Sequence, residues 1–191
     1  MGEQSDLIDA LIPVAQILKT LGVRHYVGGS VASSFHGATR STMDVDLVCE
    51  LTDEDVTEIL NQIGSDYYAS ELAMRDAVRR KSSFNLIHLP TSFKVDVFVS
   101  QGRPFDQDCM RRATMHSIGK NPGVEVPIAS AEDSIISKLE WYRLTNETSQ
   151  RQWDDVTRLR DLLGDQADHD YLLRAAKSTG VVDLLNRLMK S

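Results

Sequence analysis

The chain has 191 residues, enough for one domain with a sizeable apolar core and a helical annex. Hydrophobic residues make up 41% and charged residues 26%, as in ordinary soluble proteins, and no apolar run approaches the ~20 residues that cross a bilayer. The formal net charge of −7 argues against a broad nucleic-acid-binding surface. Cys49 and Cys109 show no metal-binding spacing, and the N-terminus lacks a basic secretory start, which favours a reducing cytoplasm and no membrane contact.

The first part of the chain alternates between predicted helices and strands. In order, these are a helix over Asp6–Leu21, a strand over Val23–Val27, a short helix over Ser30–His36 and a strand over Asp44–Cys49. Pro13 allows a kink or a late start in the first helix, and Gly22 ends it.

The middle of the chain predicts the rest of a sheet with intervening helices. The elements are a helix capped by Thr52 that runs to Ile63, a helix over Ala69–Lys81, a hairpin of the strands Ser83–Leu89 and Phe93–Val99, a helix over Asp106–Thr114, and the strands Met115–Ile118 and Val124–Ile128. Asp55, three residues after Thr52, completes a capping box in this interpretation.

From Ser130 onwards the pattern is helical, with Asp133 at a capping-box position. Four helices are predicted: Ala131–Arg143, Gln152–Leu163, Asp168–Lys177 and Val181–Met189. The fold class is therefore α/β (α+β), a mixed sheet flanked by helices and followed by C-terminal helices. We expect residues 1–128 to form the core and residues 129–191 a helical segment packed on it, as one compact unit.

One stretch combines features of a phosphate cradle and a metal site. Asp44 and Asp46 lie two residues apart on a strand and so share one face, where two carboxylates repel each other unless a cation neutralises them. Mg²⁺ takes such oxygen ligands, and glycine in the turn Gly28-Gly29-Ser30 lets backbone N–H groups approach phosphate oxygens closely. Two simpler interpretations stay open: the turn only starts a helix with Ser30 as N-cap, and the two aspartates are a solvated face of an outer strand.

The order strand, Gly-Gly-Ser, short helix, Arg40-x-Thr42-x-Asp44-x-Asp46 resembles the signature of the nucleotidyltransferase superfamily, which has the polymerase-beta-like fold. It is most similar to small bacterial nucleotidyltransferases, which include antibiotic nucleotidyltransferases and AbiE-type toxins. The resemblance covers residues 23–100 with specific motifs and residues 130–160 more loosely. It implies transfer of a nucleoside monophosphate from an NTP such as ATP to an acceptor hydroxyl, with two Mg²⁺ ions, or Mn²⁺, as cofactors.

The resemblance also implies roles for individual residues. Asp44 and Asp46 bind both metals, while Asp96, on the later strand, binds the catalytic metal and helps to deprotonate the acceptor. Gly28, Gly29 and Ser30 hold phosphates. For Asp96 the alternative is a solvent-facing charge paired with Lys94.

Other residues have more ambiguous assignments. Lys138 either meets the triphosphate or faces solvent, and Asp154 and Asp155 either orient Lys138 or an acceptor, or merely begin a helix. The family's second motif is altered here, because Trp153 stands at its lysine position. Arg40 either contacts phosphate or pairs with the acidic strand.

Further candidates are His36 as a general base, for which a structural role is the commoner case, and the basic clusters 79–81 and 111–112 as guides for a polyanionic acceptor. Two other functions are retained: a nucleotide-binding module without catalysis, and a toxin that modifies tRNA or protein and is paired with an antitoxin protein.

Overall fold

The computed structural model describes residues 2–38, 42, 44–119 and 123–190, without the side chains of residues 2–5. In these residues the strands are β1 (His25–Val27), β2 (Asp44–Cys49), β3 (Tyr67–Ala69), β4 (Ser83–His88), β5 (Phe93–Val99), β6 (Thr114–Ile118) and β7 (Val124–Ile128). The α-helices are α1 (Gly2–Thr20), α2 (Gly29–Phe35), α3 (Asp53–Gln62), α4 (Glu71–Arg80), α5 (Pro104–Arg112), α6 (Ala131–Leu144), α7 (Gln150–Leu163), α8 (His169–Thr179) and α9 (Val182–Lys190). A short 3-10 helix, Gly164–Gln166, follows α7.

The seven strands form one mixed sheet in the order β3-β4-β5-β2-β1-β7-β6. At its centre β2 pairs in parallel with β5 and antiparallel with β1, and β1 pairs in parallel with β7. The sheet flanked by helices and followed by C-terminal helices confirms the predicted fold class.

The two central strands alternate strictly between core and site. In β2, Val45 and Leu47 are fully buried, and in β5 Val95 and Val97 are almost fully buried. Because successive side chains point to opposite faces of a strand, the acidic residues between these apolar ones share the other face. The apolar face therefore fixes the register that presents the carboxylates.

Helix α6 packs against α2 and against the other C-terminal helices α7, α8 and α9. Its apolar face, which includes Ile135, Ile136 and Leu139, is buried in a cluster that also contains residues of α1, the sheet and the C-terminal helices. The expected compact unit and its division at residue 128 both stay predictions.

The capping box at Thr52 is confirmed: its Oγ1 accepts from the backbone N–H of Asp55, whose carboxylate accepts from the backbone N–H of Thr52. The predicted helix Ala69–Lys81 is wrong at its start. Tyr67–Ala69 is a strand paired with β4, and the helix begins only after Ser70, whose hydroxyl caps it. A three-residue strand is too short to show alternation, so the helical pattern of α4 extends over it.

Two smaller features concern the helices. Helix α1 continues through Pro13, so the proline does not end it. None of the described helices has the combination of length and apolar character needed to cross a membrane.

Candidate active site

The register between β2 and β5 sets the two central carboxylates side by side. Asp46 pairs directly with Asp96, and Asp44 pairs with Lys94. Adjacent strands lie about 4.8 Å apart, and directly paired residues point to the same face. The structure therefore brings Asp44, Asp46 and Asp96 together on one face of the sheet, as the sequence predicted.

The carboxyl group of Asp46 has a perturbed pKa. Burial raises its pKa to about 6, and the neighbouring charges of Asp44 and Asp96 act in the same direction. The ammonium groups of Lys138 and Lys94 oppose this rise only in part. A cation bound beside this buried carboxylate would offset the repulsion and stabilise its ionised form.

The other two carboxylates are oriented by neighbouring side chains. The amide of Asn85 donates to Oδ1 of Asp96 at 2.5 Å, and Nζ of Lys94 lies 2.8 Å from Oδ2. The hydroxyl of Thr42 donates to Oδ1 of Asp44 at 2.7 Å. The predicted Lys94 partner of Asp96 is thus present, within the carboxylate cluster.

The glycine turn packs directly on the carboxylates. Gly29 has φ +56, and a Cβ built on it would lie 1.6 Å from Oδ2 of Asp46. The backbone N–H of Gly28 donates to the backbone carbonyl of Asp46 at 2.9 Å. Glycine at position 29 is therefore required by the close approach of the Asp46 carboxylate and by the positive φ.

The turn also starts α2, but Gly28 is the N-cap of this helix. The interpretation of Ser30 as N-cap is therefore wrong. Ser30 is the second residue of α2 and is buried beside the turn.

Lys138 is buried and paired, so the solvent-facing interpretation is wrong. Its Nζ lies 2.8 Å from Oδ2 of Asp155, and the two side chains are 6% and 5% exposed. Asp154, by contrast, is exposed and accepts from Gln150. Of the acidic pair in α7, Asp155 is therefore the residue that positions Lys138.

A cleft of about 660 Å³ opens over this face of the sheet. Its walls include the glycine turn, Asp44, Asp46 and Lys138, whereas Asp96 borders Asp46 without lining the cleft. Arg40 lies outside the described residues.

The donor chemistry of the site fits a hard divalent cation, because carboxylate oxygens are the ligands that Mg²⁺ prefers. With the side chains as they stand, no three acidic, histidine or cysteine groups of the described residues form a ready-made metal site. In this arrangement Asp96 accepts from Asn85 and pairs with Lys94, and Asp44 accepts from Thr42. Each carboxylate oxygen has a second lone pair, so these bonds leave acceptor capacity for a metal.

Most of the remaining sequence candidates have structural partners. Nε2 of His36 donates to the carbonyl of Ala129 at 2.7 Å, which ties α2 to the start of α6. In the first basic cluster, Arg79 and Arg80 pair with Asp76. Lys81, at the end of that cluster, lines the cleft.

The second basic cluster is also engaged. Arg111 pairs with Asp108, and Arg112 pairs with Glu132 and lies 3.7 Å over the ring of Tyr171. Asp133 does not use its carboxylate for a capping box as predicted, because that group accepts from the hydroxyl of Tyr171.

Three residues of the site were not given a role from the sequence. Asn85 could have been found from the predicted hairpin, since its register sets Asn85 opposite Asp96. Thr42 stood in the quoted motif without a role. Trp141 lies one helical turn after Lys138 and lines the same cleft.

No protein-family model matches this sequence, and a search of curated proteins also finds no match. Solved structures do match. The crystal structure of an antigenic nucleotidyltransferase-like protein from Paracoccidioides brasiliensis has a TM-score of 0.56 and 20% identity, over 98% of this chain and 94% of that chain. The crystal structure of ANT(2")-Ia in complex with adenylyl-2"-tobramycin has a TM-score of 0.54 and 12% identity, over 94% of this chain and 98% of that chain.

These similarities cover almost the whole length of each protein. They establish that the chain has a nucleotidyltransferase fold, and the resemblance predicted from the sequence is confirmed at this level.

Proposed function

We propose that this protein is a Mg²⁺-dependent nucleotidyltransferase that transfers a nucleoside monophosphate from an NTP to an acceptor hydroxyl. One observation carries the proposal: Asp46 is paired in register with Asp96 on parallel strands, and Asp44 lies on the same face, against a glycine turn. A module that only binds nucleotide has no need of three converging carboxylates. The nucleotidyltransferase fold supports the same activity.

The proposed roles follow from position. Asp44 and Asp46 would hold Mg²⁺, or Mn²⁺, with Asp96 completing the set at the catalytic ion. Bound there, the metal ions neutralise phosphate charge and activate the acceptor oxygen. The turn of Gly28, Gly29 and Ser30 would bind the terminal phosphates.

The remaining roles belong to basic residues and to the acceptor. Lys138, held by Asp155, would contact the triphosphate, and Arg40 stays a predicted nucleotide-binding residue. Asp96 would assist removal of the acceptor proton. The predicted acceptor is a small molecule, tRNA or a protein.

ATP is the proposed nucleotide, and a toxin role with an antitoxin partner stays a prediction. The cytoplasmic location also stays a prediction, with both cysteines present as buried free thiols. The neighbouring structure with adenylyl-2"-tobramycin makes an adenylylated small molecule one candidate product.

The decisive experiment offers labelled NTP with Mg²⁺ to total tRNA, cell protein and a panel of small hydroxyl compounds. Asp46→Asn should abolish label transfer. Asp76→Asn is the matched control, because Asp76 is a carboxylate on α4 that pairs with Arg79 and Arg80. Transfer retained in Asp46→Asn, or lost equally in both variants, would contradict the proposal.

A further inference from the structure

The cleft has two chemically different ends, and α6 runs from one to the other. Just before the start of α6, the backbone N–H of Ala129 donates to the backbone carbonyl of Val27 on β1, next to the glycine turn. Further along, the ring of Trp141 lies 6.0 Å from that of Phe98 on β5. Ser134 and Leu144 both line the cleft and are about 15 Å apart along the helix axis.

The far end of the cleft has an apolar wall formed by Phe98, Trp141 and Leu144. Trp141 is 48% exposed and Leu144 is 67% exposed, although both are large apolar residues. An open helix face normally carries polar residues, and apolar side chains that line a cleft are typical of ligand contact. The planes of the Phe98 and Trp141 rings are inclined by 69°, so the two rings do not stack face to face.

The charged side chains of this part of the cleft do not favour a cationic ligand. Asp106 and Glu140 line the cleft, but Arg103 is ion-paired with both of them. Lys81 and Arg151 line it as well, and neither is ion-paired with another described residue. A polycationic ring system would require unpaired carboxylates at this place, whereas the uncharged flat ring of a base needs only an aromatic surface to stack on.

We infer that the wall of Phe98, Trp141 and Leu144 stacks the base of the incoming nucleotide, with Trp141 as its principal contact. The inference rests on the proposed function, because the glycine turn and Lys138 place the phosphates at the near end of the cleft. The base then extends along α6 towards Trp141. Stacking on one aromatic side chain contributes about fivefold to a hundredfold in affinity.

The test separates base from phosphate by using two probes with Mg²⁺: a non-hydrolysable ATP analogue and inorganic triphosphate. Trp141→Ala should weaken the analogue by at least about fivefold and leave the affinity for triphosphate unchanged. Trp141→Phe should restore most of the loss, since it retains an aromatic face. Leu144→Ala should weaken the analogue moderately, while Leu72→Ala, which truncates a 78% exposed leucine on α4, is the matched control with wild-type affinity.

Fluorescence gives a direct readout of stacking. Trp141 and Trp153 are the only tryptophans, and Trp153 packs on Tyr142 beneath Arg187. In a Trp153→Phe background the emission of Trp141 should be quenched by the analogue and not by triphosphate.

Unchanged affinity for the analogue in Trp141→Ala, or equal quenching by both probes, would overturn the inference and leave the proposed transfer intact. If the wild-type protein bound neither probe, the proposed function would fail and the inference with it.

Discussion

Asp46 occupies the most constrained position in the site. Its carboxylate packs against Gly29, it is the register partner of Asp96 on the neighbouring strand, and it lies two residues from Asp44. A protein selected only for stability would not keep a carboxylate whose pKa burial raises to about 6. The unfavourable free energy of this arrangement is therefore best explained by the cation that the site is proposed to bind.

The first prediction is that Asp46→Asn stabilises the metal-free protein. Because the folded-state pKa, about 6, lies above the ordinary value of 3.8, the folded protein binds more protons than the unfolded chain between these values. Stability therefore falls as pH rises through this window, by roughly 3 kcal/mol at most, and the loss persists above it.

Urea unfolding with a chelator, at about pH 4 and about pH 7, measures this effect. From the lower to the higher pH, the free energy of unfolding of the wild-type protein should fall relative to that of Asp46→Asn. Added Mg²⁺ should reduce the difference in stability between the two proteins at the higher pH. Parallel pH profiles for the two proteins would contradict the prediction.

The second prediction separates the two glycines of the turn. Gly29→Ala should destabilise the fold by roughly 2–4 kcal/mol, because the new Cβ collides with Asp46 and the residue has positive φ. Gly28→Ala is the matched control, since the nearest atom to its Cβ is 3.7 Å away and its φ is −113.

Thermal unfolding of both variants gives the comparison. A double variant, Gly29→Ala with Asp46→Gly, should recover part of the stability because the collision is removed. Equal stability of Gly28→Ala and Gly29→Ala would show that the turn is looser than its geometry indicates.

At the scale of elements, strict patterns were predictable and short or tertiary features were not. The bounds of β2, β5 and β7 are confirmed residue for residue, because alternation over five or more residues is a local signal. Strand β3 was missed because three residues carry no period. The burial of Lys138 could not be derived from its own helix, since it depends on Asp155 of α7, 17 residues later.

The third prediction concerns the ion pair between α6 and α7. Asp155→Ala should destabilise the protein by roughly 3–5 kcal/mol, because Lys138 would be left as an unpaired buried charge. Lys138→Met with Asp155→Leu should be markedly more stable than Asp155→Ala. If Lys138 also contacts the triphosphate, this folded double variant should still bind the Mg²⁺-nucleotide more weakly, by roughly 2 kcal/mol or more.

Measuring both unfolding and nucleotide Kd distinguishes a structural role from a binding role. Asp154→Ala is the control, because Asp154 is exposed beside Asp155 and should change neither quantity beyond about 0.5 kcal/mol. Wild-type affinity in the stable double variant would show that Lys138 does not contact the nucleotide.

At the scale of the whole molecule, ion pairs and a cation–π contact join α5 to the C-terminal helices. Arg103, before α5, pairs with Glu140 of α6, and Arg112 of α5 pairs with Glu132 and lies over Tyr171 of α8. The sequence predicted helices packed on the sheet, but not these contacts, since their partners are 20 to 59 residues apart along the chain.

The last prediction is that residues 1–128 do not fold alone. Without α6, the apolar surface against Ile135, Ile136 and Leu139 would face water, and burial of apolar area is the main favourable contribution to folding. The truncated chain should lack near-ultraviolet circular dichroism, bind an apolar dye and unfold without a cooperative transition. Residues 129–191 added in trans should restore cooperative unfolding if the loss is due only to the missing contact with α6. Cooperative unfolding of residues 1–128 by themselves would instead establish the sheet as an independent domain, with the helical segment as a separate lid on its active face.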